Sequence, residues 1–469
     1  MPVPPSAITR LADWTVGVGV ADIAPRATEL AKLLLIDTLG CGFAALDDPC
    51  ARGVLATLDA LGDRPQCTVI GHRRPMSAPN AVLANGTLVR VLDLNDYVTG
   101  ADPRSGARGG HPSDNIPVAL AAAELAHAAG RELLAGIVLG YEIYGRGKAL
   151  MEAQSAWDGV SISGLVAPAI AGRLLGLRAD QVAHAVALSA ARAATPVGVR
   201  EGGISAAKSV ANALIAQSGM QAALLAANGL TGPLDLFEAE RGLRAVFAHG
   251  SEAAGDVLAA ALPGESFIMR VAMKAYPCFA GGQSAVAAAL ALHRLVRGDI
   301  ARLSSIHVVL ADLPIVHRQM SDPGRIVPHS REAADHSLHF LIAVALVDGA
   351  FGLAQFDNQR WTDPQLRALM ARFVMTTDRD LTRRAGSSYP CAIRATDRDG
   401  KAYDVEILHP PGHAAEGLDA SAVLEKFDRV TADRLKTGQR SRIVEAVMQL
   451  ESAHSCDGLL QSLLPEQAP

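Results

Sequence analysis

Two carboxylates and an imidazole lie close together in one short part of the sequence. Asp93 and Asp96 belong to the segment DLNDY at 93–97, and His111 opens the segment HPSDN after a Gly- and Arg-rich loop. A helical pattern of apolar residues starts at Ile116, so we expect His111 to lie beside a helix N-terminus, where free N–H groups and the helix dipole favour an anion. A titratable ring beside a carboxylate-binding site suits acid–base chemistry on a carboxylic acid.

The spacing of the two carboxylates leaves two interpretations open. A helix is predicted over 79–92, and residues three apart at its end can point the same way, so Asp93 and Asp96 would form a base or a proton-sharing pair beside His111. The alternative is a solvated helix end with a capping role, although carboxylates oppose the helix dipole there. The next helix can be capped by Ser113, Asp114 or Asn115, with Pro117 in its first turn.

Two lysines could hold the carboxylates of such a substrate. Lys208 is the one lysine in a long stretch of the chain and opens an apolar helix, where it could bind a carboxylate or act as a base. The alternative is a surface lysine whose aliphatic stem covers apolar neighbours. Lys274 precedes a Gly-Gly pair at a predicted strand-to-helix turn, which resembles a generic anion-binding turn, and Ser284 can cap the helix that follows.

Other reaction classes have weaker support in the sequence. His336 and His339 stand three apart on a predicted helix and could suggest a metal pair, but no HExxH pattern occurs and no third ligand is obvious, so core or capping histidines fit better. Cys278 could be a nucleophile, supported only by its proximity to Lys274. Nucleotide, phosphoryl-transfer and α/β-hydrolase functions are disfavoured because GxGxxG after a strand, GxxxxGK[ST] and GxSxG are all missing.

Composition and charge exclude several classes of protein. The 469 residues are 49% hydrophobic and 19% charged, which indicates a globular chain with a large core. A net charge of −5 gives no electrostatic footprint for nucleic acid. The N-terminus lacks the regions of a signal peptide, and the longest uncharged run, 209–234, carries Asn and Gln residues that favour a buried helix over a membrane span. Six scattered cysteines without CxxC indicate no zinc or iron–sulfur site and suit a reducing cytoplasm.

The chain changes character near residue 265. Before it, the pattern predicts helix after helix, at 27–39, 79–92, 116–129, 131–146, 179–193, 204–228 and 255–262. After it, strands are predicted at 267–273, 306–310, 392–396 and 403–408, the last two joined by a DRDG turn, with helices at 284–296, 336–350 and 420–451. We therefore expect a mainly α protein in which residues 1–265 form a large all-helical domain, 266–410 a smaller α/β domain, and 411–469 helices that return to the first domain.

In this order the motifs resemble those of the MmgE/PrpD family. The resemblance rests on DLNDY, HPSDN, Lys208 within 203–212, GLTGP at 229–233, DTLG at 37–40, the turn 274–283 and ADHSL at 334–338, and it spans residues 8–450. The family includes 2-methylcitrate dehydratase, cis-aconitate decarboxylase and iminodisuccinate epimerase. Membership would imply a large helical domain completed by C-terminal helices, a smaller α/β lid, a homodimer, and catalysis without a metal or cofactor.

The resemblance also implies the residues of an active site between the two domains. Catalytic roles fall on Asp93, His111 and Lys208. We predict that substrate is bound by Tyr97, Ser113, Asn115, Ser161, Lys274 and Gln283. Where relatives often carry Gly-Phe-His, this chain has Gly-Val-Ser at 159–161, so Ser161 replaces a histidine, and the lid tyrosine of the decarboxylase has no clear counterpart near 322–325. Both differences count against cis-aconitate decarboxylation.

Three functional hypotheses follow. The first is a hydro-lyase on a hydroxylated di- or tricarboxylate, in which Asp93 or His111 removes the proton α to a carboxylate and the other, or a lid residue, protonates the leaving hydroxyl. The second is an epimerase or isomerase of an imino- or amino-dicarboxylate, which needs two opposed acid–base groups. The third is a non-catalytic helical dimer with a binding or scaffold role. In the first, carboxylates would be held by the helix N-terminus at 113–115, by Lys208 and Lys274, and by Arg104 or Arg108 if their loop folds inward.

Overall fold

Helices form most of the protein. The computed structural model describes residues 5–98, 110–151, 155–247, 254–262 and 265–466. The first helices are α1 Ala7–Gly17, α2 Pro25–Ala44, α3 Pro49–Leu61, α4 Ala78–Arg90, α5 Ile116–Leu125, α6 Gly130–Leu150, α7 Ser163–Leu174, α8 Ala179–Ala190, α9 Ala207–Ala227, α10 Leu243–Phe247 and α11 Ala254–Leu258. They are followed by α12 Gln283–Leu295, α13 Pro314–Ser321, α14 Pro323–Ile326, α15 Arg331–Ala334, α16 Leu338–Asp348, α17 Pro364–Met370, α18 Arg379–Ala385, α19 Ala420–Thr431, α20 Thr437–Met448 and α21 Asp457–Ser462. The predicted fold class, mainly α with a smaller α/β part, is confirmed.

The C-terminal helices belong to the first hydrophobic core. α19 packs along α2, where Gly40 leaves room for the ring of Phe427, since a Cβ at Gly40 would lie 3.0 Å from Phe427 Cδ2. Phe427, Leu450 and Leu460 are buried in one cluster with apolar residues of α1 to α8. The end of the chain therefore returns to the core that its first half builds.

α9 is a central helix of this first core. It packs against α4, α7 and α8, and Gly219 allows a close approach to α7, because a Cβ there would lie 2.6 Å from that of Ala167. By length and composition alone, α9 could cross a membrane. Its contacts with three other helices are those of a core helix, and Lys208 in its first turn is buried.

A four-stranded sheet organises the second hydrophobic core. The strands of the protein are β1 Tyr97–Val98, β2 Val271–Ala272, β3 Leu303–Ala311, β4 Phe373–Asp378, β5 Cys391–Asp397 and β6 Ala402–Ile407. The last four lie in the order β4–β3–β5–β6, with β4 parallel to β3 and the other neighbours antiparallel. α12 packs against α16 and against β5 and β6, and Leu341 and Ile393 lie buried among them.

The segment 267–273 differs from the predicted single strand. Phe267–Arg270 form a 3₁₀ turn, and only the two residues of β2 pair, antiparallel to β1. A short apolar run cannot be assigned to strand or helix by periodicity alone. The short pairing matters for the site because it joins the segment just before Lys274 to the segment just after Asp96.

The sequence pattern predicts neither β4 nor the helices α1, α3 and α7. β4 is an edge strand with Val374 61% exposed, so it lacks the buried apolar run of a central strand. α7 continues through Pro168, a residue that ordinarily indicates a helix end. The single helix predicted over 420–451 is wrong, because the chain breaks between α19 and α20.

The alanine substitution of Phe427 tests the packing of α19. We expect Phe427→Ala to lower the free energy of unfolding by about 3–5 kcal/mol because it leaves a cavity beside Gly40. Leu61→Ala is the control, since Leu61 is 73% exposed and its loss should change stability by less than about 0.5 kcal/mol. Urea unfolding followed by circular dichroism measures both. Equal effects of the two variants would contradict the burial of Phe427 in the first core.

Candidate active site

The chain turns sharply at Asp93. α4 ends at Arg90, and Asp93 has a left-handed backbone conformation with a φ of 51°, which aspartate tolerates better than most residues. The carboxylates of Asp93 and Asp96 therefore have different partners. The prediction that helical spacing directs them to one place is wrong, because the turn separates their two hydrogen-bond networks.

The Asp93 carboxylate is buried among three cationic side chains. Arg90 Nη1 donates to Asp93 Oδ1 over 2.9 Å, and Lys208 Nζ donates to Asp93 Oδ2 over 3.1 Å. Lys274 Nζ contacts Asp93 Oδ1 and also donates to the main-chain oxygen of Asp93 over 2.9 Å. Burial alone would raise the pKa of Asp93, but Arg90, Lys274 and Lys208 outweigh it and hold this pKa well below its usual value. Asp93 is therefore an ionised carboxylate and a weak base.

The second core contributes two residues to the same place. Asp335 Oδ1 lies 3.2 Å from Lys208 Nζ, and His336 Nδ1 lies 3.3 Å from the same atom. The His336 ring contacts Asp335 and stacks on Phe279, with ring centroids 5.4 Å apart. Burial and the charge of Lys208 lower the pKa of His336 to about 4, so this ring is neutral at neutral pH. The buried ionic group is called the Asp93 cluster below and consists of Arg90, Asp93, Lys208, Lys274 and Asp335.

The side chains of Asp93, Asp335 and His336 suit a lysine better than a metal ion. Their ligand atoms lie within 4.8 Å of one another, which alone would fit a cation. The Lys208 ammonium, however, lies 3.1 to 3.3 Å from atoms of all three side chains. A divalent ion among these ligands would meet a fixed positive charge at contact distance, which is strongly unfavourable in a buried site.

Sequence reasoning missed the contributions of Arg90, Asp335 and His336. The placement of His336 and His339 on one helix is wrong, because α16 begins at Leu338, and no group of three potential metal ligands among the described residues includes His339. The sequence signal that could have identified them is the adjacent Asp335 and His336 in ADHSL, directly before an apolar helix. Polar groups at the start of a buried helix must find partners elsewhere in the fold.

The His111 ring is half-buried, whereas the Asp93 cluster is fully buried. His111 Nδ1 lies 2.5 Å from the main-chain oxygen of Asp96. Because a carbonyl oxygen only accepts hydrogen bonds, His111 must carry a proton on Nδ1, which leaves the lone pair of the neutral ring on Nε2. Burial, together with Arg90 and Lys274, lowers the pKa of His111 well below its ordinary value. His111 is therefore neutral at neutral pH, with its lone pair on Nε2.

The Asp96 side chain connects the segment 93–97 with the residues after His111. Ser113 Oγ donates to Asp96 Oδ1 over 2.5 Å, and Tyr141 OH, on α6, donates to Asp96 Oδ2 over 2.7 Å. Asn95 Nδ2 donates to Ser113 Oγ over 2.9 Å. Burial raises the pKa of Asp96 to about 7, although the hydrogen bonds from Ser113 and Tyr141 favour the charged form.

The predicted side-chain cap of α5 does not form. Pro112–Asn115 make a 3₁₀ turn before α5, and no side chain among them caps the helix. Ser113 bonds Asp96 instead, and Asp114 accepts from Asn95 over 2.8 Å. The Asn115 Oδ1 atom is buried without a hydrogen-bond partner. The amides of this turn still lie beside His111, as the sequence predicts.

Gln283 shapes the turn that carries Lys274. Its Oε1 accepts from the amides of Ala275 and Tyr276, each over 3.1 Å, and its Nε2 donates to Tyr276 O over 2.8 Å. Both ends of the amide are thus engaged by the turn itself, and Gln283 fixes the place of Lys274.

Burial raises the pKa of the Cys278 thiol well above its usual value, which opposes the thiolate that a cysteine nucleophile needs.

Two other predicted substrate-binding residues are also buried. Ser161 Oγ accepts from the Thr195 amide over 3.1 Å. Tyr97 lies in β1, and burial raises the pKa of its hydroxyl, with smaller contributions from Tyr389 and Cys278. Substrate contacts of these residues stay predictions. Arg104 and Arg108 lie outside the described residues.

Lys426 holds the segment 93–97 from the C-terminal end of the chain. Its Nζ donates to Leu94 O over 2.8 Å and pairs with Asp37 Oδ1 over 2.6 Å. All three residues are buried. Asp37, on α2, thereby anchors the lysine of α19 that supports the loop between Asp93 and Asp96.

Two family profiles cover most of the chain. The MmgE/PrpD N-terminal domain matches residues 9–256, and the MmgE/PrpD C-terminal domain matches residues 276–451. The chain belongs to the MmgE/PrpD family. Similar proteins include the 2-methylcitrate dehydratase of Cupriavidus necator, 28% identical over 458 residues that cover 90% of this chain and 89% of the relative. The cis-aconitate decarboxylase of Homo sapiens is 24% identical over 466 residues, which cover 97% and 93% of the two chains.

The Asp93 cluster of this MmgE/PrpD lyase draws on both matched domains. Asp93, His111 and Lys208 lie within the N-terminal match, whereas Asp335 lies within the C-terminal match. Lys274 stands between the two matches. The ion pair of Lys208 with Asp335 therefore joins the two matched parts at the candidate site, and Lys274 pairs with Asp93 from the segment between them.

Removing the charge of Asp93 should destabilise the protein. In Asp93→Asn, Arg90, Lys208 and Lys274 lose their shared buried carboxylate, so we expect the free energy of unfolding to fall by about 3–5 kcal/mol in urea titrations at neutral pH. Asp380→Asn is the control, because Asp380 and its partner Arg383 are exposed and the substitution should leave stability unchanged. A loss no larger than that of the control would show that the cluster does not depend on this carboxylate.

The stability of the protein should depend on the protonation of Asp96. Its pKa is about 7 in the folded protein and about 4 in an unfolded chain, so the stability that its protonation provides is fully present below about pH 4 and is lost as the pH rises through about 7. The asparagine in Asp96→Asn does not titrate, so its side chain stays neutral over the whole pH range. The free energy of unfolding of this variant relative to the unmodified protein should therefore rise across this window, by up to about 1.4 kcal/mol per pH unit. Urea titrations at several pH values measure the difference, and a constant difference would contradict the raised pKa.

Proposed function

We propose that this protein is a cofactor-independent hydro-lyase that removes water from a hydroxylated di- or tricarboxylate, with 2-methylcitrate as the first candidate substrate. The observation that carries the proposal is the half-buried, neutral His111 ring, whose Nδ1 is held by the Asp96 carbonyl. Relatives named 2-methylcitrate dehydratase support the choice of reaction. Homodimerisation and a cytoplasmic location stay predictions.

His111 is the better candidate for the base. A proton α to a carboxylate is weakly acidic, so its removal needs a base that is deprotonated at neutral pH and can reach the substrate. His111 meets the first condition through its low pKa, and for the second it is the residue that, unlike the Asp93 cluster, is partly exposed. Asp93 is ionised but buried and held by three cations, so we assign it the task of arranging those cations.

The cations of the Asp93 cluster supply the stabilisation that elimination needs. As Nε2 takes the α-proton, the electrons of the C–H bond move toward the carboxylate and then form the C=C bond as the hydroxyl leaves. Lys208, Lys274 and Arg90 place positive charge near this developing anion. The hydroxyl must leave as water, so it takes a proton from a group other than the base that removed the α-proton.

The serine at position 161 supports dehydration over decarboxylation. Ser161 stands where the family resemblance implies a histidine, and its hydroxyl accepts a hydrogen bond from the Thr195 amide. A serine hydroxyl does not titrate near neutral pH, so it cannot take over the proton transfers of an imidazole. The reaction that we propose needs one basic imidazole, which His111 provides.

Proton NMR of the protein with 2-methylcitrate, citrate or cis-aconitate in D₂O tests the reaction. We expect 2-methylcitrate to lose water and give an alkene product. His111→Gln should lower turnover at least about 100-fold, because a general base contributes roughly 10²–10⁴-fold. His454→Gln is the control, because His454 is exposed and lies in the C-terminal part of the chain, and it should have the unmodified rate.

Three results would contradict the proposal. Uptake of deuterium at the α-carbon without loss of water would indicate epimerisation or isomerisation instead. If none of the three acids changes, none of them is a substrate, and the dehydration that we propose for them is wrong. Equal turnover by His111→Gln and His454→Gln would show that the base lies elsewhere.

A further inference from the structure

Asp96 holds the residues around His111 at three points. Its main-chain oxygen accepts from His111 Nδ1, and its Oδ1 accepts from both the hydroxyl and the amide of Ser113, over 2.5 and 3.3 Å. One residue therefore binds the imidazole with its backbone and the following turn with its side chain. Displacing the Asp96 side chain would alter the direction of the carbonyl that His111 contacts.

Tyr141 fixes this arrangement to the body of the helical core. Its hydroxyl donates to Asp96 Oδ2 over 2.7 Å, and the residue is 1% exposed in the middle of α6. Without this hydroxyl, Asp96 Oδ2 would be a buried carboxylate oxygen that lacks its donor, and the carboxylate would have to turn toward another one. α6 packs against α2, α5 and α7, so the position of Tyr141 is set by the first core.

Direct proton transfer is a poor role for the Asp96 carboxylate. Both of its oxygens accept hydrogen bonds from protein donors, and the residue is completely buried. The main-chain oxygen of Asp96 contacts the His111 ring. The contacts thus suit an indirect role, in which the residue acts through His111.

We propose that Asp96 and Tyr141 are positioning residues for His111: the hydrogen bond from Tyr141 fixes Asp96, and the Asp96 carbonyl selects the tautomer of His111 that has its lone pair on Nε2. This inference rests on the proposed function for its effect on turnover, because only a reaction that uses Nε2 as base requires this tautomer. Its structural part, the tautomer itself, does not depend on any substrate. The opposite tautomer would bring the lone pair of Nδ1 against a carbonyl lone pair.

The loop has other supports that should keep it folded when Tyr141 is changed. Lys426 holds Leu94 O, and Asn95 donates to Ser113 and Asp114. Removing one hydroxyl should therefore disturb the direction of the Asp96 carbonyl without releasing the segment.

Tyr141→Phe tests the proposal because it removes only this hydroxyl. We expect kcat to fall about 10- to 100-fold, since small displacements of a catalytic group cost this much, while KM stays within about twofold. In ¹⁵N-histidine-labelled protein, the two ring nitrogens of His111 should change from the pattern of one tautomer, with Nδ1 protonated, to an averaged pattern. His111→Gln identifies these signals by their loss, and thermal unfolding verifies that the variant is folded.

Tyr403→Phe is the matched control. Tyr403 is also buried and also donates its hydroxyl to an aspartate, Asp397, over 3.0 Å, but it lies in the hairpin of the second core. It should change neither kcat nor the His111 signals. Ser113→Ala, which removes a donor to the other Asp96 oxygen, provides a second variant if Tyr141→Phe does not fold and should shift the same signals.

The outcomes separate this inference from the proposed function. Unchanged His111 signals in folded Tyr141→Phe or Ser113→Ala would overturn the positioning role, whatever happens to kcat. Changed signals with unchanged kcat would also overturn it, because the tautomer would then not matter for the reaction. If the unmodified protein dehydrates none of the acids, the proposed function fails, while the nitrogen signals still decide whether Tyr141 and Asp96 set the tautomer.

Discussion

The burial of the Asp93 carboxylate is the constraint on which the site depends. Removing a carboxylate from water costs several kcal/mol unless cations and hydrogen bonds compensate it. The compensation comes from α4, from the first turn of α9 and from the segment after β2, while Asp335 supplies a second carboxylate to Lys208. None of these elements can shift far without leaving a buried charge alone. Charge compensation thus aligns the helical core with the sheet-containing core more strictly than apolar packing would.

The same charges determine the protonation of two groups with opposite tasks. Arg90, Lys208 and Lys274 hold Asp93 ionised, and two of them, Arg90 and Lys274, disfavour a proton on His111. For the proposed reaction, such a site would have its base deprotonated at neutral pH without adding a negative charge to that base. In the proposed reaction, the carboxylate is the counter-charge for the lysines and the imidazole is the base.

The parts of the site that sequence could predict are those with a local signal. DLNDY, HPSDN and the isolated Lys208 at the start of an apolar helix all indicated chemistry from residue types close in the chain, and the fold class followed from hydrophobic periodicity. Asp335 and His336 could not be paired with Lys208 in this way, because more than 120 positions separate them and only the tertiary structure brings them together. The prediction that Asp93 and Asp96 point the same way was wrong for a different reason. Asp93 has a left-handed backbone conformation that turns the chain, and helical spacing contains no information about such a residue.

The contact of Lys426 with Leu94 has a consequence for the order in which the protein assembles during synthesis. The segment 93–97 emerges from the ribosome well before residues 208, 274, 335 and 426. For much of translation, Arg90 is therefore the one cation of the Asp93 cluster that has already been made. A hydrated carboxylate is stable in that state, whereas a buried one is not. The segment 93–97 therefore has all of its partners only when almost the entire chain has been made. A chain stopped before α19 would have Asp93, Asp96 and His111 without the lysine that supports the loop between the two carboxylates.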